Sequence, residues 1–173
     1  MNSSNQKPDP KVQIRPFAEA DRGFFTTLAK DPRVVRFIGD GLPWDDERID
    51  ARVNQALERA TVDSEGAARW FIASEPQTGK SGRVGLVVAW LTPDGVEVGY
   101  WVHPSAWGRG IARAMVSQAL PLISELYGPE RSLCAQVDPA NLASVRVLLG
   151  CGFERSGSVD GREVYALSPR GSA

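Results

Sequence analysis

The chain has 173 residues, 42% of them hydrophobic, and 20 Lys and Arg stand against 21 Asp and Glu. At roughly 150 residues per domain that length predicts one domain, large enough to bury a full core without disulfide staples. The near-neutral charge argues against a nucleic-acid partner, which would call for a basic excess or stripe. His103 is the only histidine, and Cys134 and Cys151 form no metal-ligand pattern, so no metal is expected.

The opening residues, MNSSNQKPDPK, are polar and carry no apolar signal region. Apolar runs such as Val84–Leu91 fall far below the ~20 residues that span a bilayer. The expected setting is cytoplasmic and reducing, with no membrane partner. The expected organisation is a flexible segment over 1–10, one domain over 11–167 and a polar tail over 168–173.

Alternation of Val12 and Ile14 with Gln13 and Arg15 predicts a strand over Val12–Phe17. Glu19–Ala29 reads as a helix, with Asp21 a candidate cap and Asp31-Pro32 its breaker. A second helix is expected from Pro43 to about Thr61, with Ile49, Val53, Ala56 and Leu57 inward. Asp45, Asp46 and Glu47 suit the positive end of its dipole, or could attract a cationic amine. Arg69–Ser74, Arg83–Leu91 and Val96–Val102 read as three strands in an antiparallel meander, turned at Pro93-Asp94-Gly95.

Gly110–Tyr127 reads as a long helix with Met115, Ala119 and Leu122 inward. Leu133–Val137 is a strand after that crossover, expected to run parallel to Val96–Val102. Asn141–Leu149 is a helix stopped by Gly150-Cys151-Gly152. Phe153–Val159 and Arg162–Leu167 form a hairpin at Asp160-Gly161. The fold class is α+β, a mixed and mostly antiparallel sheet with helices on both faces.

Two nucleotide-binding patterns fail. Ser74–Ser81 has Ser74 where a P-loop needs its first glycine, and it leads into a strand, so a polar hairpin turn is the better reading. Gly108-Arg109-Gly110 starts a dinucleotide fingerprint, but Arg113 stands at the last glycine position. What remains is a strand, a glycine-rich loop and a helix start over Val102–Arg113. Free N–H groups in the helix's first turn, beside two residues without side chains, suit a pyrophosphate; an ordinary strand–helix connection has the same pattern.

Trp107-Gly108-Arg109-Gly110-Ile111-Ala112 resembles the acetyl-CoA loop of the GCN5-related N-acetyltransferases (GNAT), Q/R-x-x-G-x-G/A. Gly110 and Ala112 match, and Trp107 replaces the Gln or Arg. Asn141, Ser144, Gly152 and Phe153 resemble the N-x-x-S…G-F block of the branch that acetylates ribosomal-protein N-termini at alanine or serine. Ile14-Arg15-Pro16 and the Glu97–Val102 strand fit too. The resemblance spans about residues 11–167. It implies acetyl transfer from acetyl-CoA to a primary amine, on a sheet splayed between its fourth and fifth strands. By that resemblance the pantetheine arm pairs with the main chain of Trp101 and Val102. The pyrophosphate sits on Trp107, Gly108, Arg109, Gly110, Ile111, Ala112 and Arg113, and Asn141 and Ser144 contact the cofactor.

Glu97 shares a strand face with Trp101, opposite Val96, Val98, Tyr100 and Val102. It is either a solvated strand residue or the base that deprotonates the amine through a water. Ser144 either bonds its own helix backbone or protonates the leaving CoA thiolate; relatives that use a tyrosine have it in this helix, where this chain has none. Asn141 either caps the helix or bonds the pantetheine amides. His103, before Pro104, is a weaker base candidate. Neither cysteine has a histidine partner, which favours direct transfer in a ternary complex over a thiol intermediate. The expected acceptor is a small-molecule amine or a protein N-terminus, with residues 37–61 shaping its pocket, and a homodimer is compatible with the sequence. The rival reading is a non-catalytic acyl-CoA-binding regulator on the same fold.

Overall fold

The computed structural model describes residues 10–58, 62–76 and 82–169. The elements follow in the order β1 (Gln13–Pro16), α1 (Arg22–Lys30), α2 (Pro32–Val35), α3 (Asp46–Leu57), β2 (Ala68–Glu75), β3 (Gly82–Thr92) and β4 (Gly95–Val102). After these come α4 (Ile111–Tyr127), β5 (Leu133–Val137), α5 (Leu142–Gly150), β6 (Glu154–Val159) and β7 (Arg162–Leu167). Seven strands make one sheet in the order β1-β2-β3-β4-β5-β7-β6. The β2-β3-β4 meander is antiparallel throughout, and the one parallel pair is β4-β5.

Each sheet face buries its own cluster. Val87, Ala89, Val96 and Val98 pack with Met115, Val116, Ala119 and Ile123 of α4. Ile72 and Leu86, with Trp70, pack with Phe25 and Leu28 of α1 and Val53 of α3. Complete burial of side chains such as Phe25, Ile72 and Leu86 contributes about 1.5–3 kcal/mol each. The alternating strand residues supply the two faces, so the meander's sequence dictates a sheet covered on both sides.

Three local expectations are corrected. Leu122 is 39% exposed, because the inward stripe of α4 runs through Ala119, Leu120 and Ile123 instead. The helix expected at Pro43 begins at Asp46. Asp45 caps it by accepting from the Arg48 N–H, and Trp44 is buried before it with its N–H on Ala29 O. The expected end at Thr61, and most of the turn in Ser74–Ser81, lie outside the described residues. Asp21 makes no side-chain cap bond to α1. Its fully buried carboxylate takes both Arg15 guanidinium nitrogens at 2.7 Å, Arg83 Nε at 2.7 Å and the Ala18 N–H at 3.0 Å. Burial alone would raise its pKa, but those bonds outweigh it and hold the carboxyl below its ordinary value.

Candidate active site

β4 and β5 are in register at only two positions, Val96↔Leu133 and Glu97↔Cys134, and then part. β4 continues to Val102 with β3 alone beside it. The direction of its free groups follows from alternation. The Val96 N–H points to Ser132 O before β5, and the His103 N–H points to Val84 O near β3. Even-numbered residues therefore aim their main-chain groups at the gap, and odd-numbered ones at β3. Val98 and Tyr100 offer N–H and C=O groups to the opening, and Val102 offers its N–H, its carbonyl already accepting from the Trp107 indole. Trp101 pairs across to Leu86, so its main-chain groups, expected to face a ligand, face β3, and those of Tyr100 face the gap. Its indole still lines the cavity and packs edge-on against Trp44, centroids 5.1 Å apart.

The gap widens into a cavity of about 980 Å³ running from the glycine loop to the loop after α2. That is the upper end of the range of small-molecule sites. At one end, Gly108 (φ 70°) and Gly110 (φ 79°) both take the left-handed conformation that favours glycine. Gly110 is the N-cap of α4, so the helix's unpaired N–H groups open toward the cavity that Gly110, Ile111, Ala112 and Arg113 line. The Trp107 indole N–H folds back onto Val102 O at 2.9 Å. The Arg109 side chain leaves the site: its guanidinium pairs with Glu75 at 2.6 Å, and only its main chain stays in the loop. Such a cradle of amides at a helix start fits a pyrophosphate, and the free β4 edge fits an amide-bearing arm.

α5 forms the opposite wall. Asn141 Oδ1 accepts from the Ser144 N–H at 3.2 Å, which is the capping alternative. Ser144 and Asn141 both line the cavity. The residue that sequence reasoning passed over is Tyr100, whose hydroxyl donates to Ser144 O at 3.3 Å. Burial pushes its phenol up to about 12, so it stays protonated at neutral pH. The signal was present in its even position on β4, opposite the face of Glu97, but nothing local tied it to α5.

Glu97 sits at the last paired step before the strands part, just outside the cavity wall. Gln136 Nε2, on β5, lies 3.4 Å from its Oε2. Burial raises its pKa above the usual carboxylate range, and the positive charge of Arg162 opposes that rise. Asp45–Glu47 do not line the cavity: Asp45 caps α3 and Asp46 pairs with Lys30 at 2.6 Å. His103 Nδ1 is held by Ser105 Oγ at 2.8 Å and lies outside the cavity wall. Burial raises the thiol pKa of both cysteines, that of Cys134 to about 11, which disfavours a thiolate nucleophile. Among the described residues, no group of three His, Cys, Asp or Glu is placed to hold a metal, and no helix is long and apolar enough to cross a membrane.

Residues 11–154 match the family described as acetyltransferase (GNAT) domain. An FsC-acetyl coenzyme A-N(2)-transacetylase of Aspergillus fumigatus is 25% identical over 158 residues, covering 83% of this chain. The chain spans 62% of the length of that curated relative. Among solved structures, a spermidine N-acetyltransferase from Vibrio cholerae, in complex with CoA and spermine, superposes with a TM-score of 0.71. It is 18% identical, over 91% of this chain and 95% of that one. A GNAT-family acetyltransferase from Bacillus anthracis superposes at 0.72 with 19% identity, over 95% and 98% of the two chains. An aminoglycoside acetyltransferase in complex with coenzyme A superposes at 0.69 with 18% identity, over 92% and 95%. With its family match covering most of the domain, and its sheet opening between β4 and β5 over a glycine-capped helix, this chain belongs to the GNAT acetyltransferases, whose acyl donor is acetyl-CoA.

Proposed function

We propose that this protein transfers an acetyl group from acetyl-CoA to a primary amine, directly within a ternary complex. The observation that carries the reading is the parting of β4 and β5 above the Gly108–Arg113 amides, which leaves an edge for the pantetheine arm and a positive helix end for the pyrophosphate. Acetyl-CoA supplies the acetyl group as a thioester. Val98, Tyr100 and Val102 hold the arm, and the loop amides with Arg113 hold the phosphates.

At pH 7 an amine of pKa about 8–10 is mostly protonated. Glu97 takes a proton from the ammonium form before attack, through a water because its carboxylate lies behind the cavity wall. The second N–H proton, shed once the C–N bond has formed, restores the one that Ser144 gives up. Ser144 gives a proton to the sulfur as the C–S bond breaks. The domain lies within residues 11–167, and the setting is cytoplasmic. Trp107 in the loop's first position resembles the ribosomal N-terminal acetyltransferase branch, and the acceptor amine belongs to a small molecule or to a protein N-terminus. A regulator that only binds acyl-CoA would need neither Glu97 nor Ser144.

The test is titration calorimetry with acetyl-CoA, followed by thiol release with a panel of amines. Wild type is expected to bind and to release CoA. Gly110→Glu puts a carboxylate where the phosphates lie and is expected to abolish binding. Unchanged affinity in that variant would place the phosphates elsewhere, and binding without thiol release would make the protein a sensor.

A further inference from the structure

The end of the cavity away from the glycine loop is bounded by the loop after α2, by Trp101 and by the start of β7. Arg162, the first residue of β7, reaches across it. Its two terminal nitrogens lie 3.4 Å from Phe37 O and Gly39 O, which ties the β6–β7 hairpin to that loop. Carbonyl oxygens are its only acceptors there, and among the described residues no carboxylate lies within salt-bridge distance of it. Arg36, also on the wall, stacks over the Phe37 ring at 5.1 Å and likewise lacks a carboxylate partner among the described residues. On the loop beside Arg36, Asp31 binds Arg33 at 2.6 Å and Asp40 lies 3.4 Å from Arg48, and Asp138 is a carboxylate on the cavity wall.

This end therefore presents two guanidinium groups that form no ion pair among the described residues, beside an aromatic wall; the charge of Arg162 also acts at longer range on Glu97. A polycation entering here meets like charge at both, at the half-buried Arg162 with less screening than at the exposed Arg36. A carboxylate meets two partners suited to bidentate pairing. Resting on the acetyltransferase reading above, we infer that the acceptor is a small amino carboxylate, its amine facing the Glu97 side of the cleft and its carboxylate held between Arg162 and Arg36.

The experiment measures thiol release from acetyl-CoA with the full chain. The acceptors are the proteinogenic amino acids, their matched amides, spermidine and a Ser-Ala peptide amide. The expected result is kcat/KM at least tenfold higher for one or more amino acids than for the matched amide, with spermidine and the peptide lower still. Arg162→Gln is expected to collapse that preference to near unity, with acetyl-CoA affinity unchanged, and Arg162→Lys to retain part of it. Arg36→Gln reports the same preference if Arg162→Gln fails to fold. Spermidine, the peptide or the amides turning over as well as the amino acids would overturn the inference and leave the acetyltransferase reading standing. No thiol release with any acceptor, despite acetyl-CoA binding, would overturn both.

Discussion

The indole N–H of Trp107 donates to the carbonyl oxygen of Val102 across five residues of chain, at 2.9 Å. The bond joins the last residue of β4 to the start of the glycine loop, although Trp107 is 47% exposed. It ties the end of the free strand edge to the loop that leads into α4, the two parts of the site to which the proposed function assigns acetyl-CoA. Trp107→Phe keeps a ring and removes the donor. A neutral hydrogen bond contributes about 0.5–1.5 kcal/mol, so acetyl-CoA is expected to bind roughly 2- to 10-fold more weakly, with little change in Tm. Calorimetry beside a thermal melt separates the two effects. Unchanged affinity would reduce the bond to a loop brace.

Glu97→Gln preserves shape and hydrogen bonding but cannot accept a proton. Its carboxyl is raised by burial, which brings a base closer to neutral pH, and it must be ionised to act. For wild type, kcat/KM is therefore expected to rise with pH as Glu97 and then the amine lose protons. The variant is expected to be about 100-fold slower near pH 7, the low end for general-base loss. It recovers partly at high pH, where free amine is abundant. Parallel pH–rate profiles of equal height would exclude Glu97, and a uniform drop without recovery would make it a positioning group for the amine.

In the proposed transfer two hydroxyls are candidates to donate the proton to the sulfur, Ser144 and Tyr100. Ser144→Ala is expected to lower kcat by about 100-fold or more, with the KM for acetyl-CoA nearly unchanged, because negative charge on sulfur develops only as the bond breaks. Tyr100→Phe removes the bond to Ser144 O and is expected to cost only about 1 kcal/mol, read as modest changes in both constants. The reverse pattern in steady-state kinetics would move the proton donor to Tyr100.

Much of this fold is written in local periodicity. The RVGLVVAWL and VEVGYWV runs specify paired strands, and Asp160-Gly161, with φ of 49° and 79°, specifies the hairpin between β6 and β7. The Trp107–Arg113 loop is legible for the same reason: a positive φ at Gly110 and the free amides after it are properties of adjacent residues. Main-chain direction along β4 is different. Which of Tyr100 and Trp101 turns its amide to the gap depends on where β3 lies, which is a fact of pairing and not of sequence.

The acceptor end belongs wholly to tertiary structure. Arg162 and Phe37 stand 125 residues apart in the chain, and no local pattern announces that they meet. Trp44 reads as the start of a helix and becomes an aromatic wall behind Trp101 because α1 and β4 are there to receive it. Leu122 reads as core and faces outward, because the stripe that docks is chosen by the sheet beneath it. The sequence alone determined the strand and helix order, the two-faced sheet and the glycine-led start of α4, since these depend on neighbours within a turn or a hairpin. Packing between distant segments decided how far β4 and β5 part, which side chains reach the gap and what charge the acceptor meets, since those contacts exist only once the chain has closed on itself.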